Sequence, residues 1–298
     1  MALTIEPIDP AAPAFGGEVS GIDLTRPLSR ADAAAVDAGM DQYGVLVFHD
    51  QDITDAQQIA FSTTLGPLEV KKRPGNIRKA SESRLGAGIG DLSNLDKNGK
   101  IISAEDRQWF FKLGDRLWHS DSSYAVVPAK YSLLSGRVVP SWGGRTEFAD
   151  MRAAYDALDA RTKAEVEDLI CEHSLLYSRG AIGFSEFTPE EVELFRPVLQ
   201  RLVRIHPSSG RKSLFLSSHA GTIVGWTIPE ARSFLRDLTE HATQREFVYS
   251  HSWKQHDLVM WDNRSTMHRA RRFDRTEVRD MRRTTLAGDA PTVEQVDA

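Results

Sequence analysis

The chain has 298 residues, 41% of them hydrophobic, and a formal net charge of -5, so it can bury a sizeable core but lacks the overall basic charge that nucleic-acid or anionic-membrane binding would call for. Cys171 is the single cysteine, which excludes an intrachain disulfide and any cysteine-based zinc or iron–sulfur site and fits a reducing compartment. No run approaches the ~20 apolar residues of a membrane span, and the first residues carry no basic segment followed by an apolar one. The expectation is a cytoplasmic protein with a small-molecule partner, no nucleic acid and no membrane.

Short strands are expected around Thr4–Ile8 and Glu18–Ile22. Ser29 with Asp32 three residues on opens a helix over 30–42, along which Ala33, Val36 and Met40 recur at helical spacing. Gly44 then starts Val45-Leu46-Val47-Phe48, an apolar run without alternation, as in a strand covered on both faces. Thr54 and Gln57 form a capping box before Ile59, Phe61 and Leu65, and Gly66-Pro67 ends that helix. From 70 to 114 periodicity is lost; only Ile89–Leu95 has strand character, and the segment is expected to be a lid loop.

Strands follow at Tyr131–Ser135 and Thr146–Ala149. Asp150 and Asp159 cap two helices, the second with Val166, Leu169 and Ile170 on one face. Thr188-Pro189-Glu190-Glu191 starts a short helix. Strands are expected again at Leu202–His206, Ser213–Ser217, Phe247–Trp253, Leu258–Trp261 and Arg283–Leu286, with one helix from Pro229 to His241. There is no internal repeat and no domain linker. Residues 1–298 therefore read as a single domain, mainly β with flanking helices, in a two-sheet sandwich or jelly roll.

The chemistry centres on Arg116-Leu-Trp-His-Ser-Asp-Ser-Ser-Tyr124. His119 and Asp121 are one residue apart, so on an extended segment both leave the same face and can share a metal ion. The best third ligand is His268, at a second strand end. Two histidines and one carboxylate on one face of an iron leave positions open for chemistry, as in non-haem Fe(II) oxygenases. Alone, the triplet also suits a strand-edge histidine bonded to a nearby aspartate, and His251, His256 and Asp257 form a rival triad. The rival is weaker because His256 and Asp257 are adjacent on a strand and point apart. The arginines from 269 to 283 are mostly a solvated face, but a guanidinium is a natural clamp for a carboxylate. Arg279 or Arg283 could hold a dicarboxylate beside the metal, with Thr146 adding a hydroxyl. His206 and His219 are further polar residues on or near strands.

Taken together, these residues resemble the taurine dioxygenase superfamily of Fe(II)/2-oxoglutarate-dependent dioxygenases, and most closely its phenoxyalkanoate-degrading members. The likeness runs through Gly44–Phe48, Phe61–Glu69, Leu117–Ser123, Gly143–Ala157, His241–Tyr249 and Asp257–Thr285. It implies a double-stranded β-helix core and, as cofactors, Fe(II), 2-oxoglutarate as cosubstrate, and O2. The implied iron ligands are His119, Asp121 and His268. Thr146 and Arg279 would contact the cosubstrate, and Arg283 would lie by the cosubstrate or the substrate's anionic group.

The implied reaction hydroxylates a phenoxyalkanoate at the carbon next to the ether oxygen. It yields a phenol and an oxo-acid, with succinate and carbon dioxide. Lys71, Lys72, Arg283 and His206 are candidate anchors for the substrate's charge. Ile89, Asn94, Tyr124, Leu216 and His219 are further candidate substrate contacts. A homo-oligomer is expected. Two alternatives are a sulfonate or sulfate-ester dioxygenase of the same superfamily and a non-catalytic jelly-roll binding module.

Overall fold

Residues 3–70, 76–77 and 80–294 are described by the computed structural model of the chain; Lys71 and Lys72 lie outside them. Among the described residues the order is β1 (Thr4–Pro7), β2 (Gly17–Ser20), α1 (Arg30–Tyr43), β3 (Val45–Phe48), α2 (Asp55–Leu65), β4 (Gly90–Asp91), α3 (Arg107–Lys112), β5 (Tyr131–Val138), β6 (Thr146–Asp150), α4 (Met151–Asp156), α5 (Ala160–Val166) and β7 (Ile170–His173). There follow α6 (Leu175–Ala181), α7 (Pro189–Leu194), β8 (Val198–Arg201), β9 (Val203–Ile205), β10 (Lys212–Leu214), β11 (Ala220–Ile223), α8 (Ile228–Ala242), β12 (Val248–His251), β13 (Leu258–Asp262), β14 (Thr266–Ala270) and β15 (Asp280–Thr285).

The unalternating run in β3 is buried at all four positions because both faces of its sheet are covered. That sheet has the order β1-β2-β3-β13-β5-β15-β4, and a smaller one has the order β12-β6-β14. On one face of the large sheet Val45, Val47, Leu134, Val259, Trp261 and Met281 pack against Phe148 of β6, forming the inside of the jelly roll. On the other, Leu46, Phe48, Leu133, Leu258 and Met260 pack against Val36 and Met40 of α1 and Phe61 and Leu65 of α2. Each such side chain contributes roughly 1.5–3 kcal/mol by leaving water. The period of two thus sorts β5, β13 and β15 into a face that meets helices and a face that meets the site.

The capping boxes at Thr54 and Thr188 are formed, and Asp150 and Asp159 cap α4 and α5 as their positions suggest. Two expectations need correction. The helix after Asp159 stops at Val166, and Ile170 starts β7, pairing with Arg201 of β8; pairing with a distant strand overrides the local helical spacing. The strand expected at Leu202–His206 forms as β9, paired with β10, but the region before it, where no strand was expected, holds β8 of the β11-β7-β8 sheet. Between 70 and 114, β4 is hydrogen-bonded to β15 and α3 is capped by Asp106.

Candidate metal centre

A one-residue antiparallel bridge builds the centre. The N–H of His119 donates to the carbonyl of His268 at 3.0 Å, and that of His268 to the carbonyl of His119 at 2.8 Å. The two rings consequently lie side by side, with centroids 4.2 Å apart. Asp121 follows, with Ser122 in the left-handed region at φ 55° turning the chain away behind it. Nε2 of His119 is 4.0 Å from Oδ1 of Asp121, and Nε2 of His268 is 3.8 Å from Oδ2.

One donor atom from each of the three residues lies within 4.8 Å of the others, and all three residues are buried. At 3.8 and 4.0 Å the imidazoles do not satisfy the carboxylate by hydrogen bonds. Nδ1 of His119 donates to the carbonyl of Leu117 at 2.8 Å, which leaves Nε2 as the ring nitrogen that faces Asp121. Burial, with His119 and Arg283 adding, holds the His268 imidazole well below its ordinary pKa and therefore neutral. Two imidazoles and one carboxylate, held close and left unsatisfied by one another, are the donor set of a facial-triad iron site.

The neighbouring strands fix the carboxylate. Ser132 of β5 donates to Asp121 Oδ2 at 2.7 Å, and the Asp121 N–H donates to Asn263 Oδ1 at 3.0 Å. Asn263 is itself held by Trp261 Nε1 at 3.1 Å and donates to Ser132 at 3.0 Å. Arg283 Nη1 donates to Asp121 Oδ1 at 2.6 Å. Burial opposes the charge on Arg283, but Asp121, Asp115, Tyr124 and Glu69 raise its pKa overall. These supporting hydrogen bonds orient a ligand before a metal binds.

One cavity opens beside His119 and His268, with Thr146, Arg279, Arg283 and Phe273 in its wall. Thr146 is brought there by register, lying opposite Ala270 of β14 two positions from the Phe148–His268 pair. The Arg279 N–H donates to Asn94 Oδ1 at 2.8 Å and Nη1 to the carbonyl of Leu92 at 3.0 Å, while the guanidinium lies 5.3 Å from the centre of the Phe273 ring. Burial pushes its pKa down to about 10, so it stays charged at neutral pH. A second cavity adjoins His119, Asp121 and Arg283 and is walled by Tyr124, His219, Phe111, Leu175, Lys112 and Arg179. Tyr124 donates to Asn76 Oδ1 at 3.1 Å, and the His219 ring stands 5.0 Å from that of Tyr124.

Of the expected substrate contacts, Tyr124, His219 and Arg283 line this second cavity. Four others do not reach it. His206 is bonded through Nε2 to Asp262 Oδ2 at 2.9 Å, and Asp262 also binds Arg264, a buried structural cluster. Leu216 is in the core beneath β6 and β14 with Ala149 and Met267, and Ile89 is buried without lining either cavity. Asn94 spends its amide on the protein, donating to the carbonyl of Glu277 at 2.8 Å and accepting from Arg279. Among the described residues the rival triad does not come together as a metal-binding group, and His256 Nδ1 lies instead 3.2 Å from Asp52 Oδ1. Residue-by-residue reading missed Lys112, Arg116, Trp109 and Phe111, all in or next to α3; one short aromatic turn inside a polar segment was the available signal.

The chain matches the family described as "Taurine catabolism dioxygenase TauD, TfdA family" over residues 4–285. It is 42% identical to an alpha-ketoglutarate-dependent 2,4-dichlorophenoxyacetate dioxygenase of Cupriavidus pinatubonensis, covering 95% of this chain and 98% of that one. It is 38% identical to an (S)-phenoxypropionate/alpha-ketoglutarate-dioxygenase of Sphingobium herbicidovorans, covering 97% and 96%. The crystal structure of AAD-2 in complex with Mn(II) and N-oxalylglycine superposes with a TM-score of 0.94 at 59% identity, over 98% of this chain and 100% of that one.

Proposed function

The chain belongs to the TauD/TfdA family of dioxygenases, and from that premise we propose that it is an Fe(II)- and 2-oxoglutarate-dependent dioxygenase acting on a phenoxyalkanoate. The observation that carries this reading is the placement of His119, Asp121 and His268 between two cavities, one with a buried guanidinium and hydroxyl, the other lined by aromatic side chains and by both cations and carboxylates. His119, Asp121 and His268 would hold the iron. Arg279 and Thr146 would grip the far carboxylate of 2-oxoglutarate, a planar fork and a hydroxyl against one planar anion. Arg283, already bonded to Asp121, is placed to meet a second carboxylate next to the metal.

Iron, 2-oxoglutarate and dioxygen supply the oxidising power, with succinate and carbon dioxide as by-products. The chain's part is positioning and water exclusion. Phe111, Leu175 and Tyr124 would seat the aryl ring, and the substrate's carboxylate would meet Lys112, Arg179 and Arg283, of which Arg179 is already paired with Asp115 and Arg283 with Asp121. The carbon between ether oxygen and carboxylate then faces His119 and Asp121. Its hydroxylation gives a hemiacetal that collapses to a phenol and glyoxylate or pyruvate.

Residues 1–298 act in this reading as one domain with 70–114 as the lid, and Asn76, Leu92, Phe111 and Lys112 in the cavity walls support that role. No helix among the described residues is long and apolar enough to cross a membrane. A cytoplasmic homo-oligomer with no nucleic-acid or membrane partner completes the proposal. Anaerobic addition of 2-oxoglutarate to the Fe(II)-loaded protein should produce a visible metal-to-ligand absorption band. Succinate release should then depend on phenoxyacetates or phenoxypropionates. Succinate release that answers only to sulfonates or sulfate esters would transfer the assignment to that substrate class.

A further inference from the structure

Behind the first cavity, His49, Asp257 and His251 form a buried or half-buried group that the reaction above does not use. They do not offer a second metal site, because the protein itself consumes their polar atoms. Asp257 Oδ1 binds His49 Nδ1 at 2.6 Å, and Oδ2 binds both His251 Nε2 at 3.0 Å and the Lys254 N–H at 2.8 Å. An ionised carboxylate only accepts, so both histidines donate to it, and Nδ1 of His251 accepts from the Tyr249 hydroxyl at 2.9 Å. The His251 ring is thereby fixed in position and tautomer.

Against that ring stands Trp253, edge to face, with centroids 4.8 Å apart and planes at 89°. Gly136 of β5 also packs close to the indole, since an added Cβ there would come within 3.3 Å of Trp253 Cε3. Trp253 is buried, and its Nε1 donates to Thr146 Oγ1 at 2.9 Å. Thr146 Oγ1 has no other partner among the described residues, and the residue lines the cavity that holds Arg279. An indole nitrogen can only donate, whereas a hydroxyl has one proton and can also accept. With the indole on its lone pair, the Thr146 proton must be directed elsewhere, and the open direction is the cavity.

We propose that Trp253 is a positioning residue for the cosubstrate. By occupying the acceptor side of the Thr146 hydroxyl, it turns that proton toward the carboxylate gripped by Arg279, with His251, Asp257 and His49 as its brace. The inference rests on reading this cavity as the 2-oxoglutarate site. Without the indole N–H the hydroxyl is free to rotate, and ordering it must be supplied by the ligand.

The test is calorimetric titration of 2-oxoglutarate into the Mn(II)-loaded protein under anaerobic conditions, where no turnover occurs. Trp253→Phe should weaken binding about 2- to 4-fold, the cost of having the ligand order one hydroxyl among about three staggered positions. The Mn(II) affinity should not change. Thr146→Val, which loses the hydrogen bond itself, should weaken 2-oxoglutarate more, about 10-fold or beyond, and the double variant should bind no worse than Thr146→Val alone, since orienting an absent hydroxyl has no effect. Thr146→Ser should keep its affinity only while Trp253 is present. Wild-type affinity in Trp253→Phe, or additive losses in the double variant, would overturn the role given to Trp253.

Should Trp253→Phe not fold, replacing Trp253 with the isosteric 3-benzothienylalanine removes only the N–H, and the same outcomes decide. Failure of the unsubstituted Mn(II) protein to bind 2-oxoglutarate would instead overturn the cavity assignment, and this inference with it.

Discussion

The two sides of the metal centre are built by different means. On one side His119, Asp121 and His268 are fixed by strand-to-strand backbone bonds and by hydrogen-bonded side chains, Ser132, Asn263 and Trp261, on β5 and at the end of β13. On the other, part of both cavity walls comes from an irregular stretch within 84–116. Its residues are held to one another and to β15 by individual contacts such as Lys112 Nζ to the carbonyl of Ser93 at 2.7 Å and Arg84 to Asp91 and, on β15, Asp280. The strands give the metal side a geometry that one side-chain change cannot shift far. The looped side can change its lining without disturbing the ligands, which is how one scaffold accommodates different anionic substrates.

The most severe way to break that division is to remove a ligand. His119→Ala or Asp121→Ala should lower iron-dependent turnover by roughly 1,000-fold or more and deplete the protein of bound Fe(II), as measured by metal analysis after gel filtration. Full activity in either variant would remove the metal assignment. Next in size is Arg279→Lys, which keeps the charge but loses the planar fork. The KM for 2-oxoglutarate should rise about 30- to 100-fold, with metal affinity held, because a bidentate charge-assisted pair is reduced to a point charge.

How far these features could be seen in the sequence follows the same division. Val45–Phe48, the boxes at Thr54 and Thr188, and the caps at Asp150 and Asp159 are local signals, and the structure keeps each of them. His119 and Asp121 were legible from the spacing of two, and His268 and Arg279 gained force from the family likeness. The walls were not legible. Lys112 and Arg116 line a cavity because α3 packs beside the site, and no spacing along the chain encodes that placement. His206 misled for a related reason: a histidine near a strand end looks alike in sequence whether it meets a ligand or, as here, a buried aspartate.

The small β11-β7-β8 sheet backs the looped side and offers a pH test. His173 is fully buried, stacked on Phe215, with neither ring nitrogen hydrogen-bonded, and burial pushes its pKa down to about 3. The folded state therefore excludes a proton that the unfolded chain binds below about 6.5. Stability from this group is complete above that value and is lost as pH falls from about 6.5 toward 3. Between pH 7 and 5 the loss should be about 2 kcal/mol in urea unfolding, and His173→Phe should remove that part of the slope. An unchanged slope would mean that His173 is not held neutral.

The smallest effect is the one that best separates the two sides. Arg84 lies in the irregular segment and reaches two carboxylates at once, Asp91 Oδ1 at 3.1 Å and Asp280 Oδ1 at 2.7 Å. Asp280 also binds Arg282 and so retains a cation when Arg84 is removed, which limits the cost in stability to about 1–3 kcal/mol. Arg84→Ala should loosen the segment against β15 and raise the KM for a phenoxyalkanoate about 5- to 10-fold, because the wall must be ordered at the moment of binding. The Fe(II) affinity should stay at its original value, since no ligand is bonded to this segment through Arg84. A parallel fall in metal affinity would show that the strands do not insulate the ligands from the loop.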